Sequence, residues 1–397
     1  MDLFDKCHRF DRAKKLIDAD LYPYFRAIGE SGCTRVTVEG RDLVMIGSNN
    51  YLGLTHHPRV IEAARQALDD YGSSCTGSRF LNGTLALHEE LEERLSRFMQ
   101  YPACVTFPTG FQVNLGVIAA VAGKDDIIFC DKENHASILD ACRLSYAEVR
   151  RFRHGDMEDL ETKLSSASPD AGKLVVVDGV FSMLGRITEL PEVVRIAKKY
   201  GARVMVDDAH GVGVLGKHGR GTTEYFGMNG PGGGVDIVTG TFSKSLASIG
   251  GFVVANEEVI HFIKHIARSL MFSASVSPPN AASALAAIDV IETEPDILTR
   301  LWRNVGKMKR GLDGMGFDTM GSATPIIPIN IGGELETFKV ARGLYESGLF
   351  VNAVVPPGAP RGLIRTSYMA AHSDEELDFA LKVFQQLASR VKVAANQ

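Results

Sequence analysis

Val204-Met205-Val206-Asp207-Asp208-Ala209-His210-Gly211 and, further along, Thr239-Gly240-Thr241-Phe242-Ser243-Lys244-Ser245 decide how this chain is read. Each is a short branched-aliphatic run of strand type that stops abruptly at chemistry-bearing residues. The first ends in Asp-x-x-His. The second ends in a turn of small residues that carries one lysine and leads into Ala247-Ser248-Ile249-Gly250-Gly251. Together they meet the needs of a pyridoxal phosphate site. Lys244 is placed to form a Schiff base with the cofactor aldehyde, and Asp207 to pair with the pyridinium nitrogen and keep it protonated, so that the ring acts as an electron sink. Asp208 competes with Asp207 for that role. Asp207 is preferred because it leaves His210 three residues on, facing the cofactor O3′. Thr241 and Ser243 are small hydroxyl residues that leave room for a phosphate and can hydrogen-bond to it.

The surrounding pattern supplies a fold for these ends. From about residue 103, short apolar runs at 104–107, 126–129, 149–151, 174–177, 203–206 and 237–239 alternate with helical stretches such as 115–122, 157–165 and 190–200. Such alternation predicts an α/β fold with a mostly parallel sheet covered on both faces. Ligands bind such sheets outside the carboxyl ends of the strands. Asp207, His210 and Lys244 all follow strand ends, so one crevice could hold all three. Upstream, residues 35–45 read as two strands around a glycine turn, and 57–71 and 87–98 as amphipathic helices. Downstream, the pattern changes to helices at 298–315, 338–347 and 375–393, with a strand at 326–331 whose proline suggests a sheet edge. The expected organisation is an N-terminal arm (1–55), a large cofactor-binding domain (56–289) and a smaller α+β domain (290–397).

Composition narrows the class. Over 397 residues, 45% are hydrophobic, enough for a large core, and the net charge of −5 gives no basic excess for a nucleic-acid partner. Six cysteines lie without Cys-x-x-Cys spacing, which speaks for free thiols in a reducing compartment and against a metal site. The uncharged stretches 105–123 and 270–288 are broken by Pro, Gly, Gln, Asn and Ser, so neither is the run of about twenty apolar residues that a membrane span needs. A cytoplasmic protein is expected, a reading that leaves room for peripheral contact with the inner membrane face.

Further residues draw attention by type and place. Gly110 and Phe111 open a helical stretch whose first amides suit a phosphate. His135 could stack on a pyridine ring or simply start a helix. Ser182 follows a strand and could donate to O3′; its Gly-x-x-Ser context is not the nucleophile elbow of hydrolases. Arg365 could clamp a carboxylate bidentately or form an ordinary salt bridge.

Taken jointly, Ser48-Asn49-Asn50-Tyr51-Leu52-Gly53-Leu54, Gly77-Ser78-Arg79-Phe80-Leu81-Asn82-Gly83-Thr84, Asn134-His135-Ala136-Ser137, Asp178-Gly179-Val180-Phe181-Ser182-Met183, Val206 to Gly211, Gly240 to Ser245, Phe272-Ser273-Ala274-Ser275 with Pro278-Pro279, and Ile364-Arg365 resemble the α-oxoamine synthase family of fold-type-I pyridoxal phosphate enzymes. The resemblance spans roughly residues 20–390. It implies a large domain with a seven-stranded, mostly parallel sheet, a smaller C-terminal domain, and a homodimer with its sites at the subunit interface. It implies a decarboxylative Claisen condensation of an amino acid with an acyl-CoA thioester. Lys244 would bear the cofactor and move the Cα proton, Asp207 pair with N1, and His210 and Ser182 contact O3′. His135 would stack on the ring, and Gly110, Phe111, Thr241 and Ser243 hold the phosphate. Arg365 with Asn49 or Asn50 would bind the substrate carboxylate, and Ser273 or Ser275 reach the partner's phosphate. The motifs around Lys244 and at 78–84 are most similar to the branch that joins L-serine to palmitoyl-CoA, giving 3-ketodihydrosphingosine. The biotin-pathway synthase (8-amino-7-oxononanoate synthase), glycine C-acetyltransferase and aminolevulinate synthase are the sister branches, and an aminotransferase on the same fold is the alternative of another class. Some members of the serine-using branch carry an arginine just ahead of the Pro-Pro loop, where this chain has Val355 before Pro356-Pro357.

Overall fold

Apolar runs too short for helices become strands here because both faces can be covered. The structure is a computed structural model that describes residues 1–395. Residues 1–48 contribute β1 (Ile28–Ser31), β2 (Arg35–Val38) and β3 (Arg41–Met45). Residues 49–302 contribute β4 (Ala103–Phe107), β5 (Asp126–Asp131), β6 (Glu148–Phe152), β7 (Gly172–Asp178), β8 (Arg203–Asp207), β9 (Ile237–Thr241) and β10 (Gly251–Ala255). The remainder adds β11 (Ile326–Gly332), β12 (Leu349–Phe350), β13 (Asn352–Val354) and β14 (Gly362–Ser367).

Two compact units result, one made of residues 1–48 with 303–397 and the other of residues 49–302. The second unit holds a seven-stranded sheet in the order β4-β10-β9-β8-β7-β5-β6. All neighbours are parallel except β10, which runs antiparallel to both β4 and β9. Six of these strands coincide with the runs singled out in the sequence. The seventh, β10, was read only as the continuation of a small-residue turn. Its Gly-Phe-Val-Val-Ala run is wholly buried, so it carries no alternation to betray it. The helix Gly110–Val121 is capped by Thr109, whose hydroxyl accepts from the Gln112 amide at 3.2 Å. It packs closely on the sheet: a Cβ on Gly251 would lie 2.8 Å from Gly110 Cα, and one on Gly110 would lie 2.8 Å from Thr241 Cβ. Small residues are required at that contact, and they set the helix start directly against the end of β9.

The other unit carries a four-stranded sheet, β1-β2-β3-β12, and a three-stranded one, β11-β14-β13. β11 is an edge strand, as its proline required. Residues 1–55 do not form a separate arm. β12 pairs in parallel with β3, and Val36, Val38, Leu43 and Met45 share a core with Met369. The expected boundaries at 55 and 289 therefore move to 48 and 302, because strand pairing joins segments that are distant in sequence.

The segment 77–84 is tied down by a buried ion pair. Arg79 reaches Glu92, which also accepts from the Thr106 amide at 2.9 Å. Both side chains are more than nine-tenths buried. Removing one partner of such a pair strands a charge in low dielectric. Glu92→Ala should lower unfolding stability by about 3–5 kcal/mol, read as a drop in the urea midpoint at fixed protein concentration, whereas truncating the exposed Glu93 should change it by less than about 1 kcal/mol.

Candidate active site

The carboxyl ends of β7, β8 and β9 surround a cavity of about 320 Å³. Gly110, Phe111, His135, Ser182, Asp207, His210, Thr241, Ser243 and Lys244, all proposed from sequence, line it. Asn49, Asn50, Ser273, Ser275 and Arg365 are not among its lining residues. Asn50 Nδ2 donates to Thr55 Oγ1 at 2.8 Å, and Asn49 Oδ1 accepts from Tyr51 Oη at 3.1 Å. Ser273 Oγ accepts from Gln112 Nε2 at 3.0 Å, and Ser275 Oγ lies 2.7 Å from the Gly83 carbonyl. Arg365 belongs to the other unit, in β14, where it is buried and donates to Ser367 Oγ at 2.9 Å.

Asp207 ends β8 and turns its carboxylate into the cavity. Asn114 Nδ2 donates to Oδ2 at 2.6 Å and the Ala209 amide to Oδ1 at 3.0 Å. The next residue points the other way, as successive strand residues do. Asp208 is fully buried and accepts from the Thr222 amide and hydroxyl, both at 2.6 Å. It does not line the cavity, so Asp207 is the acid of the pair that can face a ligand. Burial pushes the Asp208 pKa up to about 7, against the two Thr222 hydrogen bonds.

Asn114 was missed in the sequence, and it organises the site. Its amide is 2% exposed, on a helix that is otherwise almost wholly apolar. A polar side chain inside so apolar a stretch, past the first turn that holds Gln112, is the signal that could have found it. The Asp207 carboxylate fixes which side of the amide faces it, since only NH₂ can donate. The second Nδ2 proton goes to Ser137 Oγ at 2.8 Å, and Oδ1 accepts from Thr239 Oγ1 at 3.1 Å. The Ser137 hydroxyl lies 2.7 Å from His135 Nδ1. The Ser137 amide also donates to Nδ1, at 3.3 Å. Nδ1 is therefore an acceptor, and a neutral His135 carries its proton on Nε2. Desolvation lowers the His135 pKa; Asp207 opposes and Lys244 assists. The ring sits at the exposed mouth of the cavity, edge-on to Phe111 at 6.3 Å. On the opposite wall, His210 Nδ1 is held by Tyr51 Oη at 2.7 Å, a second contact not foreseen.

At the far end, the first amides of the helix Gly110–Val121 meet the hydroxyls of Thr241 and Ser243, which lie 2.8 Å apart. Helix-start N–H groups with two hydroxyls form a cradle for a phosphate. The donor set, the carboxylate and the lysine are the kinds of group that pyridoxal phosphate requires.

Fold and site define a fold-type-I pyridoxal phosphate enzyme. The aminotransferase class I and II profile matches residues 41–384, and the chain belongs to that family. Within it, the chain is 49% identical over 386 residues to a serine palmitoyltransferase of Bacteriovorax stolpii, covering 96% of this chain and 91% of the relative. It is 40% identical over 387 residues to the 8-amino-7-oxononanoate synthase of Thermoanaerobacter pseudethanolicus, covering 96% and 97%. A solved serine palmitoyltransferase from S. paucimobilis, bound to PLP and myriocin, superposes with a TM-score of 0.95 at 36% identity, covering 99% of this chain and all of that one.

The Asp208 carboxyl gives a pH test. Its pKa is raised in the folded chain, so the proton it keeps stabilises the fold fully below the unfolded value of 3.8, and this contribution is lost as pH rises through about 7. Asp208→Asn should remove that part of the pH dependence, flattening the melting temperature of the cofactor-free protein between about pH 4 and about pH 7. It should leave turnover in place, which Asp207→Asn should not, although both variants should still bind pyridoxal phosphate.

Proposed function

We propose that this chain is a PLP-dependent acyltransferase that condenses L-serine with palmitoyl-CoA, releasing CoA and CO₂ and giving 3-ketodihydrosphingosine. The observation that carries the reading is a gradient of similarity. Over almost the same span, identity is 49% to a serine palmitoyltransferase but 40% to an 8-amino-7-oxononanoate synthase. The cavity supplies chemistry common to both, so the substrate pair rests on that gradient and on the motifs at 78–84 and around Lys244.

Bound pyridoxal phosphate supplies an electron sink for charge developing at the amino-acid Cα. Lys244 would hold the cofactor, and its Nζ would take the Cα proton. Asp207, oriented by Asn114, would hold the proton on the ring nitrogen. His135 would cover one face of the ring, and His210 and Ser182 would attend the ring hydroxyl. The Gly110 and Phe111 amides with Thr241 and Ser243 fix the phosphate. Arg365, with Asn49 or Asn50, binds the serine carboxylate, an assignment that rests on its chemistry and on the resemblance. The new bond joins serine Cα to the thioester carbonyl carbon as the C–S bond breaks and the CoA thiolate leaves. The carboxylate then departs as CO₂, and a proton returns to Cα. The active unit is a homodimer in which Ser273 or Ser275 serves the partner's phosphate. A cytoplasmic enzyme that touches the membrane peripherally suits a long-chain acyl donor. Among the described residues no helix is long and apolar enough to cross a membrane.

A second reading, the 8-amino-7-oxononanoate reaction, rests on the 40% identity to that synthase, and Val355, which stands where some serine-using relatives have arginine, is the reservation about serine. A matrix of amino acids against acyl-CoA thioesters separates the two by CoA release. Serine with palmitoyl-CoA should be fastest. Each buried CH₂ contributes up to about 0.8 kcal/mol, so kcat/KM should fall by orders of magnitude for short chains. Faster turnover of alanine with pimeloyl-CoA would reverse the assignment. Lys244→Ala should lose both the visible cofactor band and turnover.

Arg365→Ala should weaken serine binding by roughly 10- to 100-fold while cofactor stays bound, since one charge-assisted contact contributes about 1.5–3 kcal/mol. An unchanged serine titration would return Arg365 to a structural role.

A further inference from the structure

The end of β7 sets a second acid beside Asp207. Asp178 is the residue opposite Asp207 in the β7–β8 ladder. It is 3% exposed and lines the cavity. Its backbone N–H donates to Asn134 Oδ1 at 3.0 Å, and its Oδ2 accepts the backbone N–H of His135 at 3.0 Å. Its Oδ1 is buried and has no hydrogen-bond partner. The roles assigned above make no use of Asp178.

A buried carboxylate oxygen that keeps a negative charge but receives no donor is strongly disfavoured, and the balance tips toward the protonated acid. The ionisable groups around it are Asp207 on β8, Asp131 at the end of β5, Lys244 after β9 and the His135 imidazole. Two of these are acids and disfavour a further negative charge. Burial first and Asp207 second hold the Asp178 pKa well above the usual carboxyl range, against Lys244 and the His135 amide.

We propose that Asp178 is a positioning residue working as a neutral acid: Oδ2 fixes the backbone of His135, and Oδ1–H donates a hydrogen bond to an anionic oxygen of the molecule held in the cavity. This oxygen belongs either to the ionised ring hydroxyl of the cofactor or to the substrate carboxylate; the chemistry recognised is the same. As a neutral donor, Asp178 leaves Asp207 as the one negative charge of the pair to face the ring nitrogen. The inference rests on the cavity being the pyridoxal phosphate site.

Asp178→Asn copies the protonated acid, with an amide oxygen for the His135 N–H and an NH₂ donor for the cavity. It should bind pyridoxal phosphate and L-serine within about threefold of wild type and leave the pH titration of the visible cofactor band unmoved. A shift of that titration by about one pH unit or more on removing the charge would mean that Asp178 is ionised, and would overturn the proposal. Asp178→Ala removes the donor. A shifted band titration without amino acid identifies the cofactor oxygen as acceptor, whereas a serine Kd raised about tenfold with an unmoved band identifies the carboxylate. Neither change would overturn the proposal. Should the alanine variant fail to fold, melting of the cofactor-free proteins still decides. A raised folded pKa makes wild type lose stability relative to Asp178→Asn as pH rises from about 4 to about 8, and parallel curves would overturn the claim. That comparison needs no cofactor, so failure of the cofactor reading, seen as wild type without a visible band, is a separate result.

Discussion

The hydrogen bond from Asn114 to Asp207 is the contact on which the rest of the site depends. A carboxylate at the end of a buried parallel strand is tolerated only if its charge is met by donors. Asn114 and the Ala209 amide provide them. The same Asn114 amide donates to the Ser137 hydroxyl, and Ser137, through that hydroxyl and its backbone amide, holds His135 Nδ1. A demand imposed by one charge thus propagates by donor and acceptor bookkeeping across a helix start, a serine and an imidazole.

The fold makes this chain of contacts possible by geometry common to parallel sheets. β7, β8 and β9 run the same way, so their last residues meet at one edge. The Gly110–Val121 helix lies on the sheet at contact distance because Gly110 and Gly251 carry no side chains. That close approach brings the first amides of the helix to Thr241 and sets Asn114, one turn further on, beside β8. Substituting either glycine would move the helix start and the Asp207 donor together, because one rigid helix carries both.

The acids of the site are sorted by direction and company. Asp207 and Asp208 are adjacent, yet strand alternation sends one into the cavity and the other to Thr222. Asp178 and Asp207 are cross-strand neighbours, and burial makes two full charges there unfavourable. One of the three, Asp207, keeps two donors suited to a carboxylate. The others are held toward their neutral forms by low dielectric, and this assigns distinct chemistry to identical side chains.

The sequence by itself determined the sheet class, six of its seven strands, the lysine, and nine of the residues that line the cavity. These are legible because strand runs, strand-end residues and turn chemistry are local. It preferred Asp207 to Asp208 on the spacing to His210 alone. The tertiary structure supplied the reason, since only packing tells which acid faces a void. It also revealed β10, which is buried on both faces and so shows no alternation, and it joined residues 1–48 to the C-terminal segment through β3 and β12. Asn114, Tyr51 and Asp178 gained meaning only there. An amide, a phenol and a carboxyl are unremarkable in one dimension, and become functional when folding removes water and leaves them one another as hydrogen-bond partners.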